Sequence, residues 1–355
     1  MGEPLVITRE GPVLTVTLDR PERRNPLSLE TICALHAAVH DDQAAVIVIA
    51  ANGPAFSAGH DLREMSDRDP EFYDALFRAC SDLMLAIHHL PQPVIASVQG
   101  IATAAGCQLV AACDLAIAGE TARFATPGVR IGLFCTTPMV EVARAIGRKR
   151  AMQMLLTGEP ISAATAADWG LVNEVVPTER LTERTMELAT HIATASPLVL
   201  ATGKRAFYDN LEPGFADAYD HAGGIMAASA SAADAQEGFG AFLEKRPPVW
   251  TGRPSTHIRQ PSPSRSPENS SGHSIRVPCH AMAEFPRSCS PAPETRCGSR
   301  RSTSGTRGPS PATSACVSCC HRWRPRSRVP AILGPAGQLA LRRRSTVGKT
   351  PPFFR

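Results

Sequence analysis

The apolar positions along residues 1–252 follow two different periods, which separate strands from helices. Residues 13–18 predict a strand closed by Asp19-Arg20-Pro21. The run at 45–50 is wholly apolar and largely β-branched, the pattern of a strand buried on both faces. Shorter runs of the same kind stand at 94–98 and 115–118. Helical spacing governs 29–39, with Ser28 placed to cap its first turn, and also 72–89. From Thr137 onward almost everything is helical, including 182–194 and 198–210. Strands that alternate with helices and then give way to helices predict an α/β fold. It would be a parallel sheet of β-β-α turns followed by a helical region over about 198–250.

Composition divides the chain where the periodicity stops. Residues 1–252 carry 19 Lys+Arg against 30 Asp+Glu, a net of −11, which argues against nucleic acid as a partner. Residues 253–355 carry 17 Arg and 1 Lys against 3 Glu, a net of +15, with 15 Pro and 17 Ser. Two domains of function are therefore not expected: 1–252 is one folded unit, and 253–355 is an Arg/Pro/Ser-rich tail expected to be disordered, since it cannot bury enough apolar surface. Its arginines could form a nucleic-acid or anionic-membrane tail. A GC-rich frame translated off-frame or past a lost stop gives the same composition and is the favoured reading.

Five cysteines, Cys33, Cys80, Cys107, Cys113 and Cys135, sit in apolar runs without framework spacing, as buried thiols do. Cys316-x-x-Cys319-Cys320-His321 lacks a second half, so no metal is expected. No run approaches the roughly 18 apolar residues of a membrane span, so no membrane partner is expected. With no signal peptide in view and Phe354-Arg355 at the end, the expected location is cytoplasmic.

Candidate chemistry begins with backbone donors. In Phe56-Ser57-Ala58-Gly59-His60-Asp61-Leu62 the small residues allow a tight turn that leaves the His60 amide pointing outward. Thr103-Ala104-Ala105-Gly106 lies where a helix starts, and the first amides of a helix lack internal partners. Two such amides can hold a carbonyl oxygen as it gains negative charge.

Together with Arg23-Arg24-Asn25-Pro26-Leu27, Cys113-Asp114-Leu115, Phe124-Ala125-Thr126-Pro127 and Trp169-Gly170-Leu171-Val172-Asn173, these segments resemble the enoyl-CoA hydratase/isomerase (crotonase) superfamily over about residues 5–250. The resemblance implies a crotonase-like spiral of β-β-α turns with a helical trimerisation region. It implies self-association as a trimer or a dimer of trimers, and acyl-CoA thioesters as ligands. No separate cofactor is implied, because coenzyme A enters as part of the substrate. His60 and Ala105 are the implied oxyanion-hole amides. Arg24, Ala58, Gly59, Asp61, Leu62, Gly106 and Thr136 are the implied substrate contacts, with Lys245 or Arg246 of a neighbouring subunit at the phosphates. Hydratases of the superfamily use two glutamates, at the positions of Gln108 and Gly128. Ala102–Leu109 with Gly132-Leu133-Phe134-Cys135 is most similar to a branch that also departs from that pair.

Plainer readings stand beside these. Asp61 suits a helix cap, and the His60 ring should turn away if its amide faces the ligand. Gln108 can hydrogen-bond but cannot exchange a proton, and it could equally satisfy nearby backbone. Arg23 and Arg24 could be surface charges, and Glu141 should cap its helix or face solvent. The two functions left open are a thioester enzyme with an unorthodox base and a non-catalytic acyl-CoA-binding protein or partner subunit. On the first, hydration is slow and Gln108→Glu with Gly128→Glu is expected to raise it, both carboxylates projecting toward one thioester.

Overall fold

The computed structural model describes residues 3–252, so the expected tail and its Cys316–His321 cluster lie outside the described residues. The strands are β1 (Leu5–Glu10), β2 (Val13–Leu18), β3 (Val46–Ala51), β4 (Ala55–Ser57), β5 (Val94–Val98), β6 (Ile101–Thr103), β7 (Leu115–Gly119), β8 (Arg123–Ala125), β9 (Ile161–Ser162) and β10 (Glu174–Val176). The first helices are α1 (Leu29–Ala38), α2 (Leu62–Met65), α3 (Pro70–His89), α4 (Ala105–Ala112), α5 (Pro138–Ile146) and α6 (Arg148–Thr157). The later ones are α7 (Ala163–Trp169), α8 (Leu181–Ala193), α9 (Pro197–Asp209), α10 (Phe215–Ala230) and α11 (Ala233–Glu244).

Two sheets result, in the orders β1-β2-β3-β5-β7-β10 and β4-β6-β8-β9. The strand pairs β3-β4, β5-β6 and β7-β8 each give the longer strand to the first sheet and the three-residue strand to the second, whereas β1 and β2 both join the first. Pairing is parallel except for β1 with β2 and β8 with β9. The apolar runs are apolar on both faces for a reason: Leu14, Val16, Ile47 and Ile49 enter the main core. Their neighbours Val13, Val46, Val48 and Ile95 form a second core under Ala189 of α8, with Met186 and Ile192 packed beside it. Ser28 caps α1 as expected, its Oγ accepting from the Thr31 amide at 3.2 Å. The expectation of helix alone after Thr137 needs correction, because β9 and β10 lie there and extend both sheets.

The helical region is present, but α9 and α10 contain no buried residue. Its end is held by Asp234, which is 1% exposed. The carboxylate accepts from Ser196 Oγ, from the Thr251 amide and hydroxyl, and from the Gly252 amide. Burial pushes its pKa up, but these donors outweigh burial and bring it down to about 2. A depressed carboxylate stabilises above its unfolded pKa of about 3.9 and loses that contribution as pH falls toward 2. Melting temperature should therefore fall more steeply between about pH 4 and 2 in wild type than in Asp234→Asn.

Candidate functional site

Because β4, β6 and β8 run parallel, their C-terminal ends lie side by side. The next residues are Ala58-Gly59-His60, Ala104-Ala105-Gly106 and Thr126-Pro127-Gly128 respectively. This edge collects the segments that sequence reasoning singled out, and strand carboxyl ends are where α/β sheets bind ligands.

The first two loops are in direct contact. A Cβ on Gly59 would lie 2.8 Å from the Thr103 carbonyl oxygen and 3.3 Å from the Ala105 nitrogen, and Gly59 has φ +84°. A Cβ on Gly106 would lie 2.7 Å from Ser57. Only glycine allows either approach. Asn25, 2% exposed, fixes the base of the first loop: its amide donates to the Asn52 and Ala55 carbonyls, and its Oδ1 accepts from the Arg20 amide. Sequence reasoning assigned Asn25 only to a motif; its polar type in a buried loop was the available signal.

Leu27 forms an isolated parallel bridge with His60 and donates to the Gly59 carbonyl at 2.8 Å. In a parallel bridge that arrangement turns the His60 N–H away from Leu27. Ala105 opens α4 behind Ala104, whose φ of 50° and ψ of −117° are unusual for a residue with a side chain. Ala104 is clamped there by its own donation to Ala125 O and by acceptance from Gln108 N. Among the described residues neither the His60 nor the Ala105 amide has an acceptor.

The side chains are disposed differently. The His60 ring meets Phe77 edge-on at 5.4 Å, and Nδ1 lies 3.2 Å from the Leu27 carbonyl. Burial pushes its pKa down, against the opposing Leu27 hydrogen bond. The ring is therefore neutral near pH 7, and its enclosed Nε2 has no partner among the described residues. Gln108 is 3% exposed, and its Oε1 is 4.0 Å from the Cys80 thiol. Asp61 caps α2 through the Arg63 amide and pairs with Arg23, which agrees with its plainer reading.

Arg24 is exposed at φ 62°, Ala58 and Thr136 are exposed, and Leu62 is 54% exposed. Lys245 is exposed and left-handed at the end of α11. Arg246, the alternative phosphate contact, is instead engaged by Glu237 and Glu244 of its own chain. Glu141 is also corrected: it is 7% exposed and faces His88 at 3.4 Å, neither capping α5 nor facing solvent.

Gly128 departs furthest from expectation. It is buried in a 3-10 turn (Pro127–Ile131), and a Cβ there would lie 2.0 Å from the Leu133 carbonyl oxygen and 2.8 Å from Cys135 Sγ. A glutamate at 128 cannot simply project toward a thioester. The expected gain from Gly128→Glu is corrected on that ground. Burial raises the thiol of Cys107, next in chain to Gln108, to about 12. Among the described residues no cluster of His, Cys, Asp and Glu has metal-holding geometry.

A family model for enoyl-CoA hydratase/isomerase matches residues 8–253. The chain belongs to that family. Within it, the chain is 46% identical over 247 residues to the Homo sapiens enoyl-CoA hydratase domain-containing protein 3, covering 68% of this chain and 82% of that one. The crystal structure of the human protein superposes with a TM-score of 0.68 at 44% identity, covering 70% of this chain and all (100%) of that one. An enoyl-CoA hydratase structure from Mycobacterium smegmatis gives the same TM-score, 0.68, at 47% identity, covering 70% of this chain and 98% of that one. The crotonase-like α/β fold and the branch read from Ala102–Leu109 and Gly132–Cys135 are thus borne out.

The cytoplasmic expectation is overturned. The human relative and its counterparts in Mus musculus, Rattus norvegicus, Danio rerio and Xenopus laevis, at 44–45% identity, are all named mitochondrial proteins. They point to the mitochondrion rather than the cytoplasm. The physical reason for the error is that the composition and packing of a folded domain do not record its compartment.

Proposed function

We propose that residues 1–252 form one acyl-CoA-binding unit that polarises a thioester carbonyl between the His60 and Ala105 amides. The observation that carries this reading is the pair of amides without an acceptor among the described residues, on two touching loops at one sheet edge. Two aligned donors on a carbonyl oxygen stabilise the enolate more than the ground state. Ala58, Gly59, Leu62, Gly106 and Thr136 line the thioester and acyl groups, Asp61 holds the first loop, and Arg24 meets the nucleotide. Lys245 reaches the phosphates of a neighbouring copy. Coenzyme A belongs to the substrate and no other cofactor is invoked. Relatives named as hydratases, such as the 2,3-dehydroadipyl-CoA hydratase of Escherichia coli at 34% identity, support a place in fatty-acid or related acyl-CoA metabolism.

Gln108 and Gly128 favour a second reading, a binding protein without turnover, since neither can exchange a proton. The full chain assayed against enoyl-CoA and branched acyl-CoA esters, for binding and conversion, separates the two. Equal affinity for coenzyme A and for crotonyl-CoA would sink the oxyanion reading.

Self-association belongs to the same proposal. Phe215, Tyr219, Met226, Phe242 and Leu243 are 88, 79, 73, 82 and 79% exposed, an apolar surface too large for a lone copy. Sedimentation of the full chain should give a trimer or hexamer, and Phe215→Asp with Phe242→Asp should shift it to smaller species. A wild-type monomer at micromolar concentration would refute this.

A further inference from the structure

The side chain absent from position 128 has not left an empty space. The chain turns back after the Pro127–Ile131 turn, and the Leu133 amide donates to the Gly128 carbonyl at 3.0 Å. That bond places the Leu133 carbonyl oxygen 2.0 Å from where a Cβ on residue 128 would begin. Cys135 Sγ stands 2.8 Å from the same point. The Cys135 side chain is enclosed, the residue being 7% exposed, while Leu133 on the same loop is 46% exposed. Two independent parts of one loop, a main-chain oxygen and a thiol, thus converge on a single vacated volume.

We infer that the loop Gly132–Thr136 determines the reaction at this site, by filling the volume that a proton-exchanging side chain at 128 would need. The inference rests on the acyl-CoA reading above and sharpens it. A site that had merely lost a carboxylate would keep a cleft into which the side chain could be restored. Here the obstacle is backbone, which cannot swing aside as a flexible side-chain end can. The ligand class follows: acyl-CoA thioesters that are bound through the carbonyl and receive no water from the 128 side. Cys135 acts as a positioning residue, its sulfur standing 2.8 Å from where a Cβ on Gly128 would lie.

Five forms of the full chain test this: wild type, Gly128→Ala, Cys135→Ala, the pair Gly128→Ala with Cys135→Ala, and the pair Gln108→Glu with Gly128→Glu. Melting temperature, crotonyl-CoA affinity and crotonyl-CoA hydration are read for each. Gly128→Ala should lower the melting temperature by at least about 4 °C, from forced repacking at a tight contact. Adding Cys135→Ala should recover only a small part of that loss, because it relieves the contact with the sulfur and leaves the Leu133 carbonyl in place. The double-glutamate form should hydrate within threefold of wild type. Gly128→Ala with unchanged melting temperature would overturn the inference. So would a double-glutamate form that keeps the wild-type melting temperature and hydrates at least a hundredfold faster. Wild type that fails to bind crotonyl-CoA would refute the acyl-CoA reading instead, while the melting series would still decide whether the loop fills the space.

Discussion

Wild-type protein given crotonyl-CoA is expected to bind it yet hydrate it at least about 10⁴-fold below the usual enzyme range of about 1–10³ s⁻¹. Syn-addition of water needs one group to activate the water and another to protonate the α-carbon. Each such role is worth about 10²–10⁴-fold. Gln108 offers only an amide, and position 128 offers no side chain at all. His60 does not replace them: its pKa is pushed down by burial, its ring lies against Phe77, and Nε2 is enclosed. The Cys135 thiol is pushed up by burial and so stays protonated at neutral pH, with no basicity to offer. The two backbone amides proposed to polarise the carbonyl supply neither proton transfer, so hydration should stay far below the rate of a two-carboxylate site. A stopped assay at high enzyme concentration, following loss of the enoyl absorbance, measures the rate. Turnover above about 1 s⁻¹ would mean that an unassigned group performs the acid-base work.

The elements legible in the sequence are those whose burial leaves a period. The strand β3 and the helix α3 stand out because one is apolar on both faces and the other along one stripe. The strands β4, β6, β8 and β9 have three residues or fewer, too short for any period, and they are the ones that build the second sheet. They still carry the site, whose glycines made its loops visible before its sheet could be. Gln108 and Gly128 drew notice only through the family resemblance, which implies a glutamate at each position. The filling of the 128 volume was not legible, since it depends on where Leu133 and Cys135 return in space. Glu141 was misjudged for a similar reason: its partner His88 is on another helix, far away in sequence. Arg246 suited a phosphate by type, and only folding shows it occupied by Glu237.

Lys204→Met is expected to destabilise the protein by about 3–5 kcal/mol, the largest single-site loss anticipated outside the site. Lys204 projects from α9, which has no buried residue of its own by whole-residue measure, yet its side chain is only 7% exposed. Its Nζ lies 2.7 Å from Asp114 and donates to the Gln92 carbonyl at 2.8 Å. Asp114 also accepts from the Tyr208 hydroxyl and from the Val94 amide. Tyr208 in turn stacks on His88 at 4.4 Å, so one carboxylate joins α9, β5 and α3. Burial lowers the Lys204 pKa and Asp114 opposes that fall, a sign that the ammonium depends on its partner. Removing the ammonium leaves a carboxylate with two neutral donors and little water. The loss should appear as a fall in melting temperature of about 6–20 °C for a domain of this size. Adding Asp114→Asn should restore a substantial part, because no buried charge is left: the amide oxygen can accept from the Val94 amide while the amide NH2 donates to the Tyr208 hydroxyl oxygen. A Lys204→Met protein that melts within 2 °C of wild type would show that water, not this lysine, compensates Asp114. The helical region would then be held to the core mainly by self-association.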